Sequence, residues 1–136
     1  MTPSRILETV LYARDLAAAE DFYGRVLGLK LHVRNEGRHI FFKLEREMLL
    51  IFNPDVTRKP GSGPLAVPPH GAIGDGHVCF AATASELDTW RDRLAKAGIA
   101  IEATVEWPGG GRSIYVRDPA GNSVELAEPR IWGFAE

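Results

Sequence analysis

"GRHIFFK" (residues 37–43) and "GRSIYVR" (residues 111–117) spell one pattern twice: Gly-Arg, a polar residue, an apolar core and a closing cation. Each leads through a turn into a short apolar stretch that ends at proline, "LLIFNP" (49–54) and "VELAEP" (124–129). One matching heptad can arise by chance. A matching heptad, element order and strand-ending proline together indicate an internal duplication.

Working outward, each copy acquires the same elements. "RILETVLYA" (5–13) is β-branched and apolar and reads as a strand. Asp15 then stands at a helix N-cap position before "LAAAEDFYGRVLG", where Leu16, Ala19, Phe22, Tyr23, Val26 and Leu27 recur at helical spacing and Gly28 supplies the stop. "LKLHVRN", "RHIFFKLE" and "EMLLIFN" follow as strands. The second copy runs "GHVCFAA" as a strand and "ASELDTWRDRLAKAG" as a helix, with Ser85 as its candidate cap. "IAIEATVEW", "GRSIYVRD" and "NSVELAE" complete it. Both copies are therefore βαβββ, over about residues 5–53 and 75–128. Residues 54–74, dense in Pro and Gly and without periodicity, are expected to be a linker or functional loop.

With 136 residues, the chain fits one domain built from two half-domains sharing a core. The net charge of −2 and dispersed cations leave no basic footprint for nucleic acid or an anionic membrane. The only cysteine, Cys79, lies in an apolar strand and cannot close an intrachain disulfide, which fits a reducing compartment. The opening residues lack a basic segment followed by a long apolar stretch, so a cytoplasmic location is expected.

Aligning the two opening strands sets Glu8 opposite His77. Period-two alternation places Glu8 on a face with Ile6, Val10 and Tyr12, and His77 with Asp75, Cys79 and Ala81. Glu125 interrupts the apolar closing strand between Val124 and Leu126. An unpaired carboxylate in a strand buried on both faces is strongly disfavoured, and a divalent cation would serve all three groups at once. Taken singly, each is more simply a satisfied strand residue; recurrence at equivalent positions argues for a shared site. Tyr12, Phe52, Trp107 and Trp132 are candidates to line an apolar pocket, with ordinary packing as the plainer alternative. Arg112, Ser113, Tyr115 and Arg117 share a strand, so alternation divides them between two faces, one of which is a candidate ligand contact. His32 and His39 are expected at the surface, and His70 in a solvated loop, with closure over a site as the alternative.

The segments "RDLAAAEDFYGRVLGL" (14–29) and "RDPAGNSVEL" (117–126) resemble the opening helix and the closing turn and strand of the vicinal oxygen chelate superfamily. That superfamily includes glyoxalase I, bleomycin- and fosfomycin-resistance proteins and extradiol dioxygenases. The resemblance implies an α+β fold in which the two βαβββ units form a curved, barrel-like mixed sheet around a cleft, with helices outside. It also implies metal ligands on the strand opening each unit and on the last strand, here Glu8, His77 and Glu125. Two carboxylates and one imidazole form a harder set than the common two-histidine, one-carboxylate triad, which favours manganese, with zinc, nickel or iron as other candidates.

The expected function is that of a metal-dependent enzyme acting on a small substrate with adjacent oxygens, by lyase, isomerase, epimerase or dioxygenase chemistry, with Glu8 the candidate catalytic base. Tyr12, Phe52, Trp107, Arg112 and Tyr115 are the candidate substrate contacts. Glyoxalase I also tends to carry a fourth ligand on the strand closing the first unit. Leu49, Leu50 and Ile51 occupy every register there, so that activity is not expected. The alternative is a metal-free binding protein of the bleomycin-resistance type with aromatic walls. Small two-unit members commonly exchange units across a two-fold axis, which implies a homodimer with its site shared between chains.

Overall fold

The computed structural model describes residues 1–135 and divides into two compact units, residues 1–76 and the chain from His77 onward. The first unit contains β1 (Glu8–Tyr12), α1 (Leu16–Glu20), a π-helical turn (Asp21–Val26), β2 (Lys30–Asn35), β3 (His39–Lys43), β4 (Met48–Phe52) and a short α2 (Pro54–Thr57). The second contains β5 (His77–Ala81), α3 (Ala84–Lys96), β6 (Ala103–Glu106), β7 (Arg112–Arg117), β8 (Ser123–Ala127) and a 3-10 turn (Pro129–Trp132). Each unit builds a four-stranded mixed sheet, ordered β1-β4-β3-β2 and β5-β8-β7-β6. The fold is α+β, as the element pattern implies.

Asp15 caps α1 by accepting the Ala18 N–H at 2.9 Å. The helix then widens, with the Leu27 N–H reaching back to the Phe22 carbonyl at 2.9 Å. A π-turn turns less per residue than an α-turn. It thus lets the neighbours Phe22 and Tyr23, together with Val26 and Leu27, all face inward, and each is at most 6% exposed. The second helix is capped by Thr83 rather than Ser85. The Thr83 hydroxyl accepts the Glu86 N–H while the Glu86 carboxylate accepts the Thr83 N–H, a reciprocal capping box. Of "IAIEATVEW", only Ala103–Glu106 forms a strand. The expected linker begins as a helical turn, because Asn53 accepts the Asp55 N–H and Pro54 suits a first helical position.

The registers repeat between the sheets. Glu8 opposes Met48 and His77 opposes Ser123; two positions on, Val10 opposes Leu50 and Cys79 opposes Glu125. Phe41 lies across from Leu50 as Tyr115 lies across from Glu125. Hydrogen bonding therefore makes Glu8 equivalent to His77, Leu50 to Glu125, Phe41 to Tyr115 and His39 to Ser113.

One face of each sheet is apolar: Leu11, Ile40, Phe42, Leu49 and Ile51 in the first, Ile114, Val116, Val124 and Leu126 in the second, none more than 3% exposed. Burial of each such side chain contributes about 1.5–3 kcal/mol. The opposite face departs from the expectation that the opening strands are buried on both sides. Glu8 is exposed, and the His77 side chain is 51% exposed. Among the described residues, no helix is long and apolar enough to cross a membrane.

Candidate functional site

The open face of the second sheet gathers His77 and Cys79 of β5, Ser113 and Tyr115 of β7, and Glu125 of β8. His77 Nδ1 lies 3.1 Å from the Ser123 carbonyl. A carbonyl only accepts, so Nδ1 carries the hydrogen and the neutral ring keeps its lone pair on Nε2. Nε2 stands 3.2 Å from Glu125 Oε2. The Glu125 side chain is 8% exposed, so little water screens this approach. A lone pair facing a carboxylate repels it unless a proton or a cation lies between them.

The chemistry of this pair fits a metal. Two ligand atoms bound about 2.1 Å from one cation, at tetrahedral to octahedral angles, lie about 3.0–3.4 Å apart. The observed 3.2 Å falls inside that range. Fixing Nδ1 on a backbone carbonyl is also how metal-ligating histidines are commonly oriented. Among the described residues, no three His, Cys, Asp or Glu groups are assembled to hold an ion; His77 and Glu125 form a pair.

The remaining lone pairs of Glu125 are also engaged. The Tyr115 hydroxyl donates to Oε1 at 2.9 Å, and the Tyr115 ring lies nearly parallel to His77, with centroids 6.3 Å apart. Desolvation, then the hydrogen bond and charge of Glu125, hold the Tyr115 phenol above its ordinary value, so it stays a donor. Cys79 is exposed as a residue, yet desolvation of its sulfur, followed by the Glu125 charge and hydrogen bond, pushes the thiol up to about 12. At neutral pH it is a thiol, directed to the Phe80 carbonyl at 3.8 Å, rather than a thiolate ligand.

The open face of the first sheet is aromatic. Glu8 begins β1, and Tyr12, on the same face, meets His70, whose Nδ1 is 2.6 Å from the Tyr12 hydroxyl. The His70 ring stands edge-on to Phe52 at 4.7 Å, and its backbone N–H donates to the Thr57 carbonyl. This corrects the expectation of a solvated loop histidine: residues 58–69 leave the sheet and return to it at His70. His39 is likewise not a plain surface residue. It stacks on Phe41 at 4.0 Å, its Nδ1 is buried without a hydrogen-bond partner, and desolvation, then the Arg38 charge, lowers its pKa.

The other candidate contacts divide by face. Trp107 is 39% exposed and donates its indole N–H to the Ser113 hydroxyl at 2.8 Å, which brings it to the Glu125 side of the sheet. Arg112 lies on the opposite, helix-facing side. Its guanidinium donates to the Ala84 carbonyl at 3.0 Å and to Asp88 at 3.2 Å, and approaches Glu128 at 3.8 Å. Arg112 is thus a structural clamp on the start of α3 rather than a contact on the His77 face. Arg117 pairs with Glu102 at 2.7 Å. Trp132 is 77% exposed on the closing 3-10 turn.

Glu128 was not singled out by sequence pattern although it is fully buried. Sequence places position 128 at the end of the closing strand; its burial depends on the distant Arg112. The Tyr115–Glu125 contact depends on the β7–β8 register, which the heptad repeat equates between the copies without fixing.

The chain matches the family model described as the Glyoxalase/Bleomycin resistance protein/Dioxygenase superfamily over residues 5–126. Among solved structures it resembles the lactoylglutathione lyase of Agrobacterium tumefaciens at 47% identity, covering 98% of this chain and 100% of that one, with a TM-score of 0.93. It also resembles a glyoxalase/bleomycin resistance protein/dioxygenase from Nocardioides at 25% identity, covering 94% and 85%, with a TM-score of 0.73. A superfamily member from Sphaerobacter thermophilus, at 17% identity, covers 93% and 98% with a TM-score of 0.69 and shares the fold. Among proteins of curated function, none matches the sequence.

Proposed function

The chain belongs to the Glyoxalase/Bleomycin resistance protein/Dioxygenase superfamily, and from that premise we propose that it is a divalent-metal enzyme acting on a small substrate with two adjacent oxygens. Glu8, His77 and Glu125 are its metal ligands in this reading, with Glu8 supplied by a second copy of the chain in a homodimer. The observation that carries it is the approach of His77 Nε2 to Glu125 Oε2 at 3.2 Å, with Nδ1 held at the Ser123 carbonyl. When bound, a divalent ion supplies Lewis acidity to both substrate oxygens. The two carboxylates direct the choice towards manganese, zinc, nickel or iron.

Glu8 lies at the open start of β1 and is exposed. If it holds the ion, it would be the residue exposed enough to act also as general base towards a substrate carbon beside a carbonyl. Tyr12, Phe52 and Trp107 offer ring surface to the substrate's organic portion; Tyr115 and Arg112 have the structural partners described above. The test is metal analysis of protein purified without chelator or affinity nickel. About one divalent ion per chain is expected, and a stripped sample should gain about 2.7 kcal/mol of stability when the ion is restored at a hundredfold excess over Kd. A metal-free protein whose melting temperature ignores added ions would instead support sequestration of an organic ligand. The ring cluster of Tyr12, His39, Phe41, Phe52 and His70 favours that second reading.

The Agrobacterium relative's name suggests one substrate class. A lactoyl group bears a hydroxyl on the carbon next to its carbonyl, which is a pair of adjacent oxygens. Register nevertheless puts Leu50 where the second unit has Glu125. With no carboxylate there, the two-base arrangement expected of glyoxalase I is incomplete. We predict no significant turnover of the methylglyoxal–glutathione adduct by the metal-loaded protein. Ordinary turnover in that assay would defeat the Leu50 argument and make the relative's activity this protein's own.

A further inference from the structure

We propose that Tyr115 is the positioning residue that ties down one oxygen of Glu125 and so keeps the second carboxylate oxygen turned towards His77. This rests on the metal-site reading above and assigns residues around it.

Ser113, fully buried and on the same face of β7 as Tyr115, has its hydroxyl accepting the Trp107 indole N–H at 2.8 Å. Glu125 as a carboxylate can only accept, so Tyr115 donates to Oε1, at 2.9 Å. Oε1 is thereby tied down, and Oε2 is the oxygen that faces His77 Nε2.

The duplicated sheet supplies an internal control. At the positions equivalent to Glu125, Tyr115 and Ser113, the first unit has Leu50, Phe41 and His39. Phe41 keeps the ring and lacks the hydroxyl. At these register positions phenol and carboxylate are therefore present together in the second sheet and absent together from the first. A hydroxyl serving only to pack the ring would have no reason to follow the carboxylate.

The test measures affinity for manganese and for cobalt by competition with a chelator, with the cobalt absorption spectrum as a report on ligand geometry. Tyr115→Phe should weaken metal binding about 10- to 100-fold, the range for losing such an outer partner. It should also shift the cobalt bands, while the metal-free protein keeps its melting temperature. Ser113→Ala, which leaves the Tyr115–Glu125 bond in place, should change binding less than Tyr115→Phe does. An affinity within twofold of wild type for Tyr115→Phe would overturn the positioning role and leave the metal reading standing. Wild-type protein that binds neither ion would sink the metal reading and this inference with it.

Discussion

Chains carrying Glu8→Ala and chains carrying Glu125→Ala, each stripped of most metal affinity, should recover about a quarter of the wild-type metal sites when unfolded together and refolded as a mixture. The expectation follows from a homodimer whose site takes Glu8 from one chain and His77 with Glu125 from the other. Random assortment makes about half of the dimers mixed. Each mixed dimer then holds one intact site and one that lacks both carboxylates, which gives the quarter. Glu8→Ala and His77→Ala should keep the fold, because Glu8 is exposed and the His77 side chain is 51% exposed; Glu125→Ala removes a buried acceptor of the Tyr115 hydroxyl, so the melting temperature of its metal-free form is the check on its fold. Occupancy of wild type should fall on acidification, since the imidazole and both carboxylates bind metal only when deprotonated. If every site were built within one chain, each would remain broken at one ligand. No recovery in a preparation shown to contain mixed dimers would then exclude the shared site.

Replacing Glu128 with alanine should cost about 3 kcal/mol of folding stability, among the largest losses available to a single polar residue here. Its side chain is fully buried, and Oε2 accepts the Arg112 backbone N–H at 2.7 Å. Arg130 Nη2 lies 2.7 Å from Oε1, close enough for an ion pair, although its geometry does not form a hydrogen bond. The Arg112 guanidinium approaches from the other side at 3.8 Å and carries the link on to α3 through Ala84 and Asp88. Truncation leaves a backbone donor and two cations without their common acceptor. Both arginine side chains retain solvent access, at 30% and 54%, which moderates the loss relative to a fully buried pair. Glu128→Gln keeps an oxygen for the backbone N–H and should lose only about 1–2 kcal/mol. Urea unfolding of metal-free protein at one fixed concentration reads both values. A loss under about 1 kcal/mol for Glu128→Ala would show that the arginines find water as good a partner.

Much of this organisation is legible before any coordinates. The heptads at 37–43 and 111–117 indicate the duplication, and the β3–β4 and β7–β8 registers repeat between the two copies. Period-two alternation puts Glu8 with Tyr12, and His77 with Cys79, on their respective faces, because side-chain direction in a strand is a local property. Asp15 is likewise readable as a cap, since its partner, the Ala18 N–H, is three residues away.

What escapes the sequence is whatever depends on groups brought together from distant strands and loops. His70 reads as a loop residue, and only the fold returns it to Tyr12, 58 positions away. Glu128 ends an apolar strand run, and its burial depends on Arg112 and Arg130 closing over it, while Arg112 itself faces α3 rather than the His77 side. The Thr83 cap, by contrast, is local: its partner Glu86 is three residues on, so "TASE" already spells the capping box. Sequence alone determined the duplicated βαβββ pattern and the placing of Glu8, His77 and Glu125 as candidates, because strand periodicity and repetition are carried by near neighbours. Tertiary structure decided which atom of His77 faces Glu125, which oxygen Tyr115 holds and which charges are buried, because these depend on hydrogen-bond direction and desolvation across strands, which no local pattern encodes.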